Sequence, residues 1–330
     1  MSAFFAPEAD LERYLRIEAA WTRSLGEVEG HSNAESVATA IDTTAIDPND
    51  LAQGVKKDGL PIPALVAQLK TQIAPDQHAL IHRGLTSQDV MDTSTVLALR
   101  DVVALIAARL KGIDAELEAL QAKFQTASLA VITRMQPALE TSAAEVIARW
   151  RQPIPALLKN LEECRDDISQ VQWGGPIGTR DHPQSQDLGA NFARQLGLTD
   201  PGHAWHTDRT RFINAGHLMT RTATAMGKIG EDIAMMAVIG ADQITFAGGG
   251  SSAMPHKNNP VAAEIAIALS DHCAALNASL TRSACHEGFR SGRAWTLEWL
   301  ILPQICVASG AAMLQINNML KKIISIGRAS

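Results

Sequence analysis

Aromatic residues make up only 4% of this 330-residue chain, with a single tyrosine, and clean alternation of β-branched and polar residues is scarce. A β-sandwich or barrel draws on both, so a mostly helical chain is expected. Cysteine is equally thin. Cys164, Cys273, Cys285 and Cys306 stand far apart without a Cys-x-x-Cys pair, which argues against a zinc site or a disulfide framework. They read as buried small apolar residues in a reducing compartment. The start, Met1 to Asp10, lacks the basic and apolar runs of a signal peptide, and no uncharged apolar stretch is expected to reach bilayer-spanning length. Excess positive charge is missing too: the formal net charge is −6, which favours neither nucleic acid nor an anionic membrane as partner. A cytoplasmic protein is the default, and an anionic substrate would have to be met by locally gathered lysine and arginine.

What the chain has in quantity is helical periodicity. Val96, Leu99, Val103, Ile106, Leu110, Ile113, Leu117, Leu120 and Phe124 alternate spacings of three and four, the seam of a long helix packed nearly parallel to others. Phe212, Met219, Met226 and Ile233 recur every seven residues in a second proline-free segment. Pro260 opens a third candidate with Ala262, Ile265, Leu269 and Leu276 on one face, and residues 297–324 supply a fourth, interrupted or kinked at Pro303. The class is therefore all-α, a long-helix bundle. Residues 26–62 and 173–206, rich in Gly and Pro, are looser regions. We divide the chain into an N-terminal helical cap, 1–109, and a central bundle, 110–330. The first two seams carry more apolar stripe than a lone bundle should leave facing solvent.

Residues 248–260 read Gly-Gly-Gly-Ser-Ser-Ala-Met-Pro-His-Lys-Asn-Asn-Pro. The glycines and serines allow positive φ and lid-like movement, while Pro255 and Pro260 stiffen the second half of the loop. Lys257 is a cation, and Asn258 and Asn259 can donate to carboxylate oxygens, so the loop suits closing over an anion. The competing reading is an ordinary turn before a helix. Upstream, Thr86 with Asp89 three residues later fits a capping box, and the hydroxyls of Thr86 and Ser87 at a helix start also form a ready anion site, with His82 close by in sequence. His203 and His206 have a metal-like spacing, but no carboxylate or cysteine cluster completes a set, so no metal is expected. His286, Glu287, Arg290, Ser291, Trp295, Glu298 and Trp299 stand at helical spacing and read equally well as an amphipathic helix.

The 248–260 string resembles the signature loop of the fumarase/aspartase lyase superfamily, Gly-Ser-Ser-x-Met-Pro-x-Lys-x-Asn-Pro, with every fixed position present. That resemblance implies proton exchange beside a carboxylate by Ser251, with Ser252 as its neighbouring candidate, and no cofactor. It also places Thr86 and Ser87 at a substrate carboxylate and His82 as a polar contact or proton relay. Thr133-Arg134-Met135-Gln136 stands where these lyases usually read Thr-His-x-Gln. Arginine has no usable proton at neutral pH but binds carboxylate through a planar fork, so the change points to an additional substrate carboxylate and a reaction that does not need that base.

Trp205-His206-Thr207, His286-Glu287-x-x-Arg290-Ser291 and Ala294-Trp295-x-x-Glu298-Trp299 are similar to one branch of the superfamily, the 3-carboxy-cis,cis-muconate cycloisomerases. The resemblance implies lactone closure of a tricarboxylate in aromatic catabolism through the β-ketoadipate pathway, with protocatechuate upstream. It implies a homotetramer with sites shared between subunits, and substrate contacts from Thr86, Ser87, Arg134, Gln136, His206, Met254, Lys257, Asn259, Arg290 and Ser291. Asp208 departs from the glutamine common in the branch and would bring an acid near the anion. The small C-terminal helical domain of longer relatives is expected to be absent. The alternatives are a fumarate-releasing lyase of the adenylosuccinate or argininosuccinate type and a non-catalytic protein that kept the fold.

Overall fold

The computed structural model describes residues 1–250, 254 and 258–328. Helix α1, Pro7–Glu29, starts on a proline with Glu8 and Asp10 in its first turn and stops at Gly30, whose φ is 78°, so both ends follow the residues that favour them. α2 (Ala34–Thr43), α3 (Pro48–Asp58) and α4 (Ile62–Gln72) follow. Asp47 caps α3, accepting from the Asn49 N–H at 2.9 Å. The looser region expected from residue 26 is thus three short helices, with α1 running on through Gly26.

α5, Ser87–Lys123, is 37 residues long, about 55 Å at 1.5 Å per residue. Its expected seam from Val96 to Leu120 is buried, and Phe124 packs at its end. Position 109/110, the domain division expected from the sequence, lies inside this helix. Then come the strands β1 (Ser128–Thr133) and β2 (Gln136–Ser142), followed by α6 (Ala143–Arg151), α7 (Ile154–Ile168), α8 (Ser185–Leu196) and α9 (Thr210–Ile239). β3 (Ile244–Phe246), α10 (Val261–Ser283), α11 (Gly292–Leu320) and β4 (Ile323–Ile326) complete the order. α9 sits at the centre, packed on α7, α10 and α11, with α11 also on α5. Phe212, Met219, Met226 and Ile233 are fully buried along it. Gly216 and Gly230 let α10 approach, because a Cβ on Gly216 would fall 2.1 Å from Leu280 Cδ2 and one on Gly230 2.9 Å from the Ala263 oxygen.

β1 and β2 form an antiparallel hairpin, and β3 pairs antiparallel with β4. Both sheets are small, and the class is all-α. Thr133 pairs with Gln136 across a two-residue turn in which Arg134 and Met135 take φ of 50° and 65°, the geometry that matches strand twist but that non-glycine residues adopt at a cost.

In several places the structure departs from the sequence reading. α10 buries Ala263, Ala266, Cys273 and Leu280 rather than the face expected one residue earlier; Ile265 is 39% exposed and Ala262, Leu269 and Leu276 are half-buried. α11 runs through Pro303 and ends at Leu320, beyond which the chain turns into β4. By length and hydropathy α11 does reach bilayer-spanning dimensions, against the expectation from sequence; 56% of its most apolar window is buried in the protein. Its apolarity follows from packing against α5, α9 and α10. Cys285 is exposed and Cys164 only partly buried. The first two seams do not face solvent. Apolar residues left exposed on the long helices include Val238 and Ile239 at the end of α9, Val261 and Ile265 on α10, and Leu300 and Leu314 on α11.

Candidate active site at the start of helix α5

Thr86 holds an extended backbone before α5, and the Asp89 side chain turns back to accept its N–H at 2.9 Å, one half of the capping box. The same carboxylate is buried and accepts from Gly174 N–H at 2.9 Å, Gly175 N–H at 3.0 Å and His206 Nε2 at 2.7 Å. Burial pushes this carboxyl up, against the pull of His206 and the backbone donors toward the anion. The approach requires glycine at 174, where a Cβ would sit 2.6 Å from both Ala204 Cβ and His206 Cε1. Three loops, 82–87, 173–179 and 203–207, are therefore fastened to one acid.

Arg290 reaches the same place, its Nη1 donating to Thr86 Oγ1. His286, Glu287 and Arg290 lie before α11 rather than within a helix. Ser291 is its buried N-cap, accepting from Ala294 N–H at 3.1 Å. His82 takes a left-handed backbone, φ 56°, and its Nδ1 lies 2.6 Å from Glu18 Oε1. Burial works against the His82 cation, but the Glu18 carboxylate outweighs it and the imidazole is raised above its ordinary value. Next to it, Arg83 pairs with Glu29, which also accepts from His31 and His182. Partial burial opposes those partners and loses, leaving the Glu29 carboxyl lowered to about 2.

Beneath this surface lies a group that sequence reasoning missed. Arg209 is fully buried and spans two carboxylates. It donates to Asp92 at 2.7 and 2.9 Å and to Glu298 at 2.6 and 2.9 Å. Trp295 Nε1 donates to Asp92 at 3.0 Å, and Gln88 and Gln172 each at 3.2 Å. Trp205 and Phe212 flank the guanidinium with ring centres 5.2 and 4.8 Å away. Asp208 stands two residues before the start of α9 and accepts from Thr210 N–H at 3.0 Å, while His203 turns to the Pro201 oxygen and His206 to Asp89.

The remaining candidates lie elsewhere in the chain. Arg134 and Gln136 sit on the hairpin, and Arg134 lines a cavity of about 470 Å³ with Arg149, Lys228, Met235 and Gln243. Lys228 is 19 residues beyond Arg209 along α9, or about 28 Å at 1.5 Å per residue. Chain length from α5 agrees. The 11 residues from Lys123 to Arg134 span at most about 38 Å, against the 55 Å or so of helix leading back to Ser87. Asn259 belongs to the hairpin end: its N–H donates to the Gly249 oxygen at 2.8 Å, and neighbouring Asn258 donates to the Phe246 oxygen of β3. Met254 is 41% exposed. Ser251, Ser252 and Lys257 lie outside the described residues. Within one chain, then, His82, Thr86, Ser87, His206, Arg290 and Ser291 form one group, and Arg134, Gln136 and Asn259 stand toward the other end of the bundle.

The profile of the lyase family matches residues 9–274. The 3-carboxy-cis,cis-muconate cycloisomerase of Pseudomonas aeruginosa is 32% identical over 97% of this chain and 72% of its own. An N-acetyl-S-(2-succino)cysteine lyase of Dickeya dadantii is 28% identical over 95% of this chain and 70% of its own. Among solved structures, the 3-carboxy-cis,cis-muconate lactonizing enzyme of Pseudomonas putida superposes with a TM-score of 0.90 at 27% identity, covering 98% of this chain and 74% of that one.

Proposed function

The chain belongs to the lyase family and has the long-helix bundle of fumarate lyases; from that premise we propose that it is a cycloisomerase closing 3-carboxy-cis,cis-muconate to its lactone. The observation that carries the reading is Arg134. It occupies the hairpin tip in a strained backbone, is exposed, and makes no hydrogen bond or ion pair among the described residues. A forked cation held ready in this way suits an additional substrate carboxylate better than proton transfer.

In the proposed reaction a substrate carboxylate oxygen forms a bond to an alkene carbon four atoms along its own chain. The alkene electrons move to the adjacent carbon, next to another carboxylate. Arg134, Arg290, Lys257 and Asn259 stabilise that charge, and Ser251 delivers the proton that completes a C–H bond. Solvent then restores the serine proton. Because the nucleophile is part of the substrate, no separate base need activate it. Thr86, Ser87, Gln136, His206, Met254 and Ser291 position the substrate.

The separation of the two residue groups supports a site completed between subunits. The exposed Val261, Ile265, Leu300 and Leu314 offer a surface on which copies could associate, which fits a homotetramer. A cytoplasmic setting in β-ketoadipate catabolism belongs to the same reading. The resemblance to a succinocysteine lyase favours the second reading, release of fumarate from a succinyl substrate. Ultraviolet spectra separate them: incubation with 3-carboxy-cis,cis-muconate is expected to remove the diene absorbance, while adenylosuccinate, argininosuccinate and N-acetyl-S-(2-succino)cysteine yield no fumarate. Fumarate from any of these with the diene untouched overturns the proposal.

A further inference from the structure

Glu18 lies on α1, is fully buried, and spends one carboxylate oxygen on His82 Nδ1 while the other has no hydrogen-bond partner among the described residues. An acid in the interior of a helix, with no lysine or arginine paired to it among the described residues, needs a reason to be there. Its one partner belongs to the loop that carries Thr86. His82 is held there in a left-handed backbone, its side chain is 18% exposed, and Nε2 makes no hydrogen bond among the described residues. A carboxylate on one imidazole nitrogen fixes the tautomer and favours the doubly protonated ring, which leaves the other nitrogen as an N–H donor.

We propose that Glu18 is a positioning residue for substrate recognition: it holds His82 as an imidazolium whose Nε2–H, on the Thr86 loop, donates to a substrate carboxylate. This deepens the lactonisation reading and rests on it for the identity of the substrate. Among the described residues, the charges that act most strongly on His82 are Glu18 from α1, Asp89 from α5 and Lys70 from α4. The first two favour the cation and the third opposes it. With His82 raised above its ordinary value, the cation is present at low pH and is lost as pH rises through the raised value. Glu18→Gln keeps the volume and the acceptor oxygen but removes the charge, so the same loss occurs at lower pH.

The test uses the full chain and propane-1,2,3-tricarboxylate, which carries three carboxylates and no diene, with binding followed by calorimetry between pH 5.5 and 8 and the His82 ring titrated by ¹⁵N NMR. Glu18→Gln is expected to bind about tenfold more weakly than the parent at pH 7.5 and equally at pH 5.5, with His82 titrating about one unit lower. Glu18→Asp, which keeps the charge, is expected to retain the parental pH profile. A ratio of affinities that does not change with pH, or a His82 titration unmoved in Glu18→Gln, overturns the proposal. Because the probe cannot lactonise, that failure is separate from failure of the diene assay.

Discussion

Replacing Arg209 with leucine is expected to destabilise the protein by about 3–5 kcal/mol, the range for removing one partner from a buried ion pair. The reason lies in what remains. Asp92 and Glu298 both give up solvent in this structure, and the Arg209 guanidinium is the only cation that bonds to either among the described residues. Leucine would leave two carboxylates without it, and one would have to take a proton or draw in water. Burial already pushes the Glu298 carboxyl up even beside Arg209. Thermal unfolding of Arg209→Leu should fall well below the parent, and adding Asp92→Asn and Glu298→Gln should recover part of the loss. An unchanged melting curve would show that this cluster does not hold the three helix starts together.

Ser251→Ala is expected to lower turnover by about a hundred- to ten-thousandfold, the usual contribution of a proton-transfer group. Substrate affinity and assembly should hold, since a hydroxyl is removed and no charge is changed. The parallel variant Ser252→Ala checks the register of the loop. Near-normal turnover in Ser251→Ala with a collapse in Ser252→Ala would move the proton to the neighbour, and full activity in both would remove the serine step.

Much of the bundle was legible because α5 and α9 bury their apolar positions within their own chain. Val96 to Leu120 and Phe212 to Ile233 keep the helical period and face a core, so periodicity reports them directly. On α10 the same argument misleads. Its small residues Ala263 and Ala266 go inward against α9, while Val261 and Ile265 are uncovered, and hydrophobicity alone cannot tell a buried face from an exposed one. The uncharged length of α11 is hard to see in the sequence because its run is broken by Pro303, Gln304 and the asparagines 317 and 318, which the helix accommodates.

At the site, the Thr86–Asp89 cap could be read from four consecutive residues, but the group beneath it could not. Asp92, Arg209 and Glu298 come from three distant segments, and each alone reads as a solvated charge. A weak signal existed in Asp92, which follows Val90 and Met91 and precedes the buried seam. Glu18 was hidden for the same reason, lying in a helix rich in charge. His286 to Ser291 failed as a helix because Gly288 takes φ of 61° and Ser291 is a cap, local features that outweigh spacing.

The most direct test of a site completed between chains takes one variant from each residue group. Arg134→Ala at the hairpin and Arg290→Ala at the Thr86 loop are each expected to be inactive in lactonisation when expressed alone. Co-expressed with two different tags and purified through both, they should regain activity, because some sites then draw an intact Arg134 from one chain and an intact Arg290 from the other. Random mixing would restore about a quarter of the sites in a symmetric assembly. Mixed assemblies as inactive as either variant, or a parental protein fully active as a monomer, would contradict the account and place every site residue within a single chain.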